Sequence, residues 1–504
     1  MAGIKSLVKD TAVYGISSIV GRFLNWLLVP LYTVMFAVEE YGVVTYVYSV
    51  VAVVMVVLIY GLETGFFRFA NHERWKDATE VYSTCLISLA VSSSVFFIGV
   101  LAALGPVTHW MRCDGHPEYV AIMALCVAID AFLAIPYCYL RYRRRPFRFV
   151  TLKLVNIGLN IGLNLFFILL CPWLMAHAPA TVGWFYRPDF GIGYIFLANL
   201  LASAVNLAMM LPELRGFRYR FNGALWKEIM VYSLPLLVLG VAGIMNQTID
   251  KILYPMLVSD PADAMYGLGI YGANYKIAVV LLVFLQAFRF AYEPFIFARA
   301  RDDGESRLQS YRDAMKYFII FALLIFLGVM FYLDFIRYFI SPRYFSGLKV
   351  VPIVMLAELF FGIFFNLSLW YKLTDRTSYG AWFSLLGCAV TVTLNIVLVP
   401  RIAYMGCAIA ALASYGTMMA VSYLTGNKKY PVGYPLGRIA LYFAVAAALY
   451  GAGVWLLPLS GMGEAPMSVV RLLLLGLYVG IVMRVEHLGI ADLLGPLAAK
   501  LHRR

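Results

Sequence analysis

Charge is what this chain has least of. Asp, Glu, Lys and Arg supply only 13% of its 504 residues, against roughly 25% in globular proteins, while apolar types supply 62%. A water-soluble protein of this length has no interior large enough to hide that much apolar surface. Histidine is scarce too: six residues, scattered without metal-ligand spacing, so no metal site is expected. The seven cysteines are odd in number, and Cys85, Cys126, Cys138, Cys171, Cys388 and Cys407 lie in or beside apolar segments. Buried thiols are expected there, not disulfides. No nucleotide-binding loop and no soluble stretch large enough for catalysis is present. ATP-driven transport by this chain alone is not expected, no catalytic residue or cofactor is assigned, and the chain reads as no enzyme.

What fills the chain instead is a run of apolar stretches, each long enough to cross a bilayer as a helix. The expected spans are Thr11–Phe36, Gly42–Gly61, Ser83–Leu104, Tyr119–Leu140, Val150–Leu174, Gly191–Leu211, Met230–Leu257, Tyr271–Phe295, Tyr317–Phe335, Val350–Tyr371, Tyr379–Val399, Met405–Leu424, Ile439–Leu457 and Val469–Val485. The pattern predicts an all-α polytopic membrane protein of about fourteen helices. The net charge of +13 does not signal nucleic acid, because the basic residues sit in short gaps between spans. They fall in alternate gaps. Lys5 and Lys9 precede span 1, Arg141 to Arg148 follow span 4, and Arg299 to Lys316 follow span 8. The opposite gaps hold only Arg112, Arg187, Arg337, Arg343, Lys349, Arg401 and Arg471, a bias of about fourfold. This places both termini in the cytoplasm and the protein in a bacterial inner membrane.

The chain also repeats itself. Shifted by 225 positions, Pro30 meets Pro255, Tyr41 meets Tyr266, Gly42 meets Gly267 and Tyr46 meets Tyr271, with Asn25 falling on Asp250. An offset of six spans keeps both halves in one orientation. Two parallel six-helix lobes follow, 1–222 and 223–425, with a substrate path between them and residues 426–504 supplying two extra helices and a tail.

Ionisable groups inside spans are costly, so each is a site candidate. Arg22, with Asn25 on the same face, is a cation suited to phosphate; an acid across the bundle could equally pair with it. Asp250 and Lys251 are adjacent on span 7 and are expected to point apart. Lys276 begins span 8, and Arg289 and Glu293 follow as an i,i+4 pair. Asn25, Arg22, Lys251, Lys276 and Arg289 form the expected substrate set. The acids Glu63, Asp130, Asp250 and Glu358 are the expected ion-coupling set, for H+ or Na+; Asp130 leads it, with a structural hydrogen bond as the competing reading. Asn156, Asn160 and Asn164 line one face of span 5, and Gly158 and Gly162 form a small-xxx-small pair. They predict close helix packing with interhelical amide bonds, or sugar recognition. Gly267-x-Gly269-x-x-Gly272 matches a dinucleotide fingerprint but has no parallel sheet around it and is rejected.

Several stretches carry a family resemblance. They are Arg22 followed by Leu27-Leu-Val-Pro-Leu-Tyr32, then Gly61-Leu-Glu-Thr-Gly-Phe-Phe-Arg68, Tyr139-Leu-Arg-Tyr-Arg143, Tyr232-Ser-Leu-Pro-Leu, Asp250-Lys251 and Gly269-Ile-Tyr-Gly-Ala-Asn-Tyr-Lys276. The chain resembles the polysaccharide-unit flippases of the MOP exporter superfamily over nearly its whole length. The resemblance implies alternating access between two lobes. It implies an undecaprenyl-pyrophosphate-linked oligosaccharide as cargo, for surface polysaccharide such as lipopolysaccharide, with polysaccharide polymerase machinery as partner. It also implies a groove for the polyprenyl tail at spans 13 and 14. A lipid II flippase, a cation-coupled multidrug exporter and a membrane-embedded glycosyltransferase or ligase are the alternatives. Basic Arg22 and Lys251 and the extra spans argue against the exporter, and the short outward gaps argue against the enzyme.

Overall fold

The structure is a computed structural model. It describes residues 20–21, 23–72, 74–75, 77–216, 218–299, 304–374 and 376–487, with backbone alone at 291, 293–299 and 460. No strand occurs among the described residues. The chain runs α1 (Phe23–Met35), α2 (Val38–Ala70), α3 (Ala78–Ala102), α4 (Pro117–Tyr142), α5 (Pro146–His177), α6 (Gly193–Leu214) and α7 (Gly223–Leu257). Then follow α8 (Pro261–Arg299), α9 (Gly304–Phe331), α10 (Val350–Leu373), α11 (Ser378–Ile402), α12 (Tyr404–Lys429), α13 (Leu436–Leu459) and α14 (Glu464–Val485). Thirteen of these, α2 to α14, are long and apolar enough to cross a membrane. Arg22 and most of the first half of span 1 lie outside the described residues.

Helices are forced because a bilayer offers backbone groups no other partner. Local chemistry decides where they start. Asp77 accepts the Thr79 amide at 2.8 Å to begin α3, and Asn222 accepts those of Ala224 and Leu225 at 3.0 and 3.1 Å to begin α7. Pro117, Pro146 and Pro261 stand in first turns, where no amide is missed. Several boundaries move outward from expectation: α7 begins at Gly223 rather than Met230, α8 at Pro261 rather than Tyr271 and α9 at Gly304 rather than Tyr317, and α2 lengthens at its far end. α2 does not end at Gly61 but bends there, in a left-handed conformation (φ 72°), and continues through Glu63 and Arg68. The glycine is needed twice, since a Cβ would also stand 2.9 Å from the Ser233 carbonyl oxygen.

Helices α3–α6 pack chiefly with one another, as do α10–α12 with α7, while α2 lies mainly on α7 and α8, and α13 and α14 lie against α9. We take α1–α6 as one lobe and α7–α12 as the other, with α13 and α14 as two added helices. Those two are tied to α9 and its connection by ion pairs: Lys316 with Glu486, and Arg471 with Asp334 at 3.1 Å. The lobes meet along α2. Where α2 and α8 begin, their backbones touch: a Cβ on Gly42 would lie 2.0 Å from the Met265 carbonyl oxygen, and one on Gly269 2.0 Å from that of Val38. At the same end Trp26 stacks on Phe339 with ring centroids 3.9 Å apart. At the opposite end α2 lies on α7 instead. There Arg68 covers the Tyr232 ring at 4.2 Å, and Arg74 pairs with Glu228 at 3.0 Å. The rejected glycine fingerprint thus has a steric purpose: Gly267, Gly269 and Gly272 make room for Tyr254, Val38 and Thr45.

Candidate functional site

The densest polar cluster described lies inside the second lobe. α7 presents Asn246, Asp250 and Lys251, all under 9% exposed. The Asn246 amide donates to the carbonyls of Ala242 (2.9 Å) and Ser384 (2.8 Å), the latter on α11. Its own carbonyl accepts the Tyr415 hydroxyl at 3.1 Å. One turn on, Asp250 accepts the Tyr271 hydroxyl at 2.6 Å. Lys251 Nζ donates to both Asp250 oxygens at 3.1 Å and to the Gln247 carbonyl at 3.0 Å. This corrects the expectation that the neighbours point apart. Their Cα–Cβ vectors do diverge by about 100°, but the four-carbon lysine stem folds back. In an apolar interior a lone ammonium costs more than the turn.

The cluster continues toward α10. Lys251 Nζ lies 4.0 Å above the Tyr275 ring, and the Tyr275 hydroxyl donates to Glu358 at 2.7 Å. Glu358 is 3% exposed, and its second carboxylate oxygen has no hydrogen-bond partner. Lys276, next to Tyr275, is only part-buried and faces Lys251 electrostatically. Its ammonium makes no ion pair among the described residues. Its carbonyl accepts the Trp26 indole N–H at 2.7 Å, which puts it beside α1 of the other lobe. The structure therefore gathers Asp250, Lys251, Lys276 and Glu358. It leaves Arg289 apart, about 20 Å further along α8. Arg289 lies over Phe365 at 4.3 Å, shared with Lys372 at 4.6 Å. The side chain of Glu293 lies outside the described residues.

The first lobe is built from amides. Asn160 donates to Asn25 at 3.4 Å, Asn164 donates to the Asn160 side chain at 3.1 Å, and Tyr32 donates to Asn164 at 2.9 Å. The asparagine face of α5 thus makes the expected interhelical bonds. The glycines do not make the expected close packing: nothing lies within 4 Å of a Cβ built on Gly158 or Gly162. They sit two residues from the asparagines, about 200° around the helix, and so on the opposite face.

Asp130 accepts the Ser203 hydroxyl at 2.8 Å, with the Cys126 thiol at 3.9 Å. Lys153 faces both Asp130 and Glu63 electrostatically and rests over the Tyr137 ring at 4.1 Å. Sequence reasoning missed Lys153 although it lies inside span 5; counting every ionisable group within that span would have found it. Glu63 lies 3.8 Å from Arg141, both part-exposed. The seven cysteines are free, six of them buried, and no group of His, Cys, Asp and Glu able to hold a metal occurs among the described residues.

Comparison with known proteins fits this geometry. No curated protein matches the chain significantly. Among solved structures, lipid II flippase MurJ in an inward-closed conformation is similar at TM-score 0.72 and 13% identity, covering 95% of this chain and 99% of that one. An inward-facing MATE multidrug transporter of the MOP superfamily is similar at 0.66 and 15%, covering 81% and 94%. The MATE multidrug transporter DinF-BH is similar at 0.59 and 16%, covering 84% and 96%. These likenesses establish the fold. Residues 7–299 match the Polysacc_synt family, described as polysaccharide biosynthesis protein. More than half of this multi-pass membrane chain thus carries that match, and the chain belongs to the polysaccharide biosynthesis protein family.

Proposed function

We propose that this chain carries a polyprenyl-pyrophosphate-linked oligosaccharide from the cytoplasmic to the periplasmic leaflet of a bacterial inner membrane, by alternating access and without catalysis. The observation that carries the reading is the part-buried Lys276, which feels the charge of Lys251 in one lobe, makes no ion pair among the described residues and stands beside α1 of the other lobe. A pyrophosphate brings the negative charge that such a cation attracts in low dielectric. Asn25 supplies a neutral hydrogen-bonding group from the opposite lobe. Arg289, nearer the cytoplasmic end, meets the charged headgroup first. The family match to polysaccharide biosynthesis supports a glycan as the rest of the cargo, with the bilayer and the polymerase machinery as partners.

In the orientation set by the basic gaps, the α2–α8 contact closes the periplasmic side and must part for release. Ion coupling falls to the acids. Asp250 holds Lys251, so a proton or Na+ arriving at Asp250 or Glu358 frees the ammonium for phosphate. Asp130, with Lys153 beside it, is the counterpart in the first lobe, and Glu63 lies at its cytoplasmic end.

The test is to delete the gene and identify the lipid-linked glycan that accumulates in the cytoplasmic leaflet. A surface-polysaccharide repeat unit is expected. Accumulation of lipid II would assign that substrate instead, and no accumulated lipid-linked glycan would defeat the reading. Complementation with Lys276→Ala should fail while the protein remains in the membrane. Labelling of single cysteines placed at Arg144 and Arg187 should report cytoplasm and periplasm respectively.

A further inference from the structure

A second cavity lies apart from the cluster described above. It has a volume of about 480 Å³ and sits between the last turns of α7 and α11 and the first turns of α8 and α12. Ligand pockets fall in roughly the 300–1,000 Å³ range. Its polar lining is Tyr254, Ser259, Asp263, Tyr266, Arg401 and Tyr404. None of these belongs to the proposed phosphate or ion groups. In the orientation proposed above, the cavity opens to the periplasm.

Three observations point to a ligand. Tyr254 is 2% exposed, and it lines the cavity with a hydroxyl that makes no hydrogen bond to a described residue. Gly267 keeps the space open, because a Cβ there would lie 2.1 Å from that hydroxyl. Second, Asp263 and Arg401, both exposed at the rim, line the cavity without an ion pair to any described residue, so both charges are available to a ligand. The start of α8 is capped by Asp260, which accepts the amides of Ala262 (2.7 Å) and Asp263 (3.0 Å), so the Asp263 carboxylate is not spent on the helix. Third, the chain reverses between α11 and α12 through the single residue Ala403, at φ 49°. That turn sets Arg401 and Tyr404 on one rim, and Tyr404 is held there by its hydroxyl bond to the Ser346 carbonyl at 3.2 Å.

The chemistry of the lining selects the ligand. One acid and one base cancel, so the cavity favours neither a free phosphate nor an organic cation. The charges at the rim exclude a lipid tail. What remains is a neutral molecule rich in hydroxyls. Asp263 accepts from such hydroxyls and the Arg401 fork donates to them. The tyrosine rings offer apolar faces to the C–H face of a pyranose, and their hydroxyls offer further bonds.

We propose that this cavity is a saccharide subsite for neutral pyranose units, holding part of the cargo's glycan on the outward face. The inference rests on the flippase reading for the identity of the glycan but not for the binding itself. The experiment uses the purified full chain in a detergent without a sugar headgroup. Saturation-transfer NMR is recorded with four probes: maltotriose, cellotriose, chitotriose, and the glycan freed by mild acid from lipids of the native cells. At least one should bind, the freed glycan best. Asp263→Asn combined with Arg401→Gln should weaken that binding at least tenfold, Tyr254→Phe should weaken it severalfold, and Lys429→Ala, at the far end of α12, should leave it unchanged. Absence of binding by all four probes overturns the proposal. So does binding that survives the Asp263/Arg401 double variant, or binding of pyrophosphate that depends on those two residues. Each of these results leaves the gene-deletion assay intact, so failure of the subsite and failure of the flippase reading are told apart.

Discussion

The two lobes are built on one plan and filled with different chemistry. Asn25 in the first corresponds to Asp250 in the second, and Tyr46 to Tyr271. Asn25 is exposed and takes a long 3.4 Å bond from Asn160, whereas Asp250 is 3% exposed and holds a lysine and a tyrosine. Tyr46 reaches only the Trp110 carbonyl at 3.5 Å, and Tyr271 meets a carboxylate at 2.6 Å. At this matched position the first lobe uses a neutral amide where the second uses buried charge. A repeated backbone supplies matching positions, and single substitutions then decide which of them carries buried charge.

The largest expected effect tests that asymmetry directly. Asp250→Ala leaves Lys251 buried without its counter-charge and should destabilise the protein by about 3–5 kcal/mol. Replacing both at once, Asp250→Asn with Lys251→Met, should restore most of the melting temperature in detergent while export stays lost. Asn25→Ala should lower the melting temperature far less. Equal losses at the two positions would show that the lobes are not divided in this way.

Next come the glycines at which the lobes touch. Gly269→Leu and Gly42→Leu force side chains into backbone carbonyls and should each cost about 1–3 kcal/mol by overpacking. Both should also part α2 from α8. Cysteines placed at Thr45 and Gly272, where a Cβ on Gly272 would lie 3.2 Å from that of Thr45, should crosslink in the parent and lose the crosslink in either leucine variant. A crosslink that persists would mean this contact is not a gate shared by the two halves.

The tyrosine pair sharpens the comparison further. Tyr271→Phe removes a bond to a charged group and should cost about 1.5–3 kcal/mol, while Tyr46→Phe removes a bond at the distance limit and should fall below about 0.5 kcal/mol. Melting temperatures of the two variants decide it. The smallest effect is in the added helices. Burial alone raises the pKa of Glu486, just past α14, but hydrogen bonds from Lys316 and Tyr442 and the charge of Arg438 hold it below the usual carboxylate range. A lowered carboxyl contributes stability above its unfolded value of about 4.3, and that contribution is lost as pH falls through the folded value. The melting temperature should drop between about pH 5 and pH 3, and Glu486→Gln should flatten this dependence.

Within the second lobe the sequence names Asp250, Lys251, Lys276 and Glu358 as separate candidates, but not that they form one cluster. Glu358 lies more than a hundred positions from Lys251 and is joined to it only through Tyr275. Arg289 shares a helix with Lys276 and still lies apart from it. Lys153 shows the opposite failure: a cation within an apolar span, legible in principle, whose neighbours Asp130 and Glu63 come from other helices.

What the sequence determines by itself is the set of spans, their alternation of basic gaps, the repeat and the asparagine face of α5. Each follows from periodic or additive properties. About twenty apolar residues cross a bilayer as a helix wherever they occur, and a face at i, i+4, i+8 is fixed by helix geometry alone. The tertiary structure decides everything that depends on long side chains and on partners from distant helices. It turns Lys251 back onto Asp250, bends α2 at Gly61 so that Glu63 joins the helix, and points Gly158 and Gly162 away from the asparagines' neighbours. It also converts a dinucleotide-like glycine run into the place where two lobes touch. Helix spacing says which way a Cβ leaves the backbone. Only the packed interior, where an unpaired charge is expensive and a methyl group can be too large, says where the side chain ends.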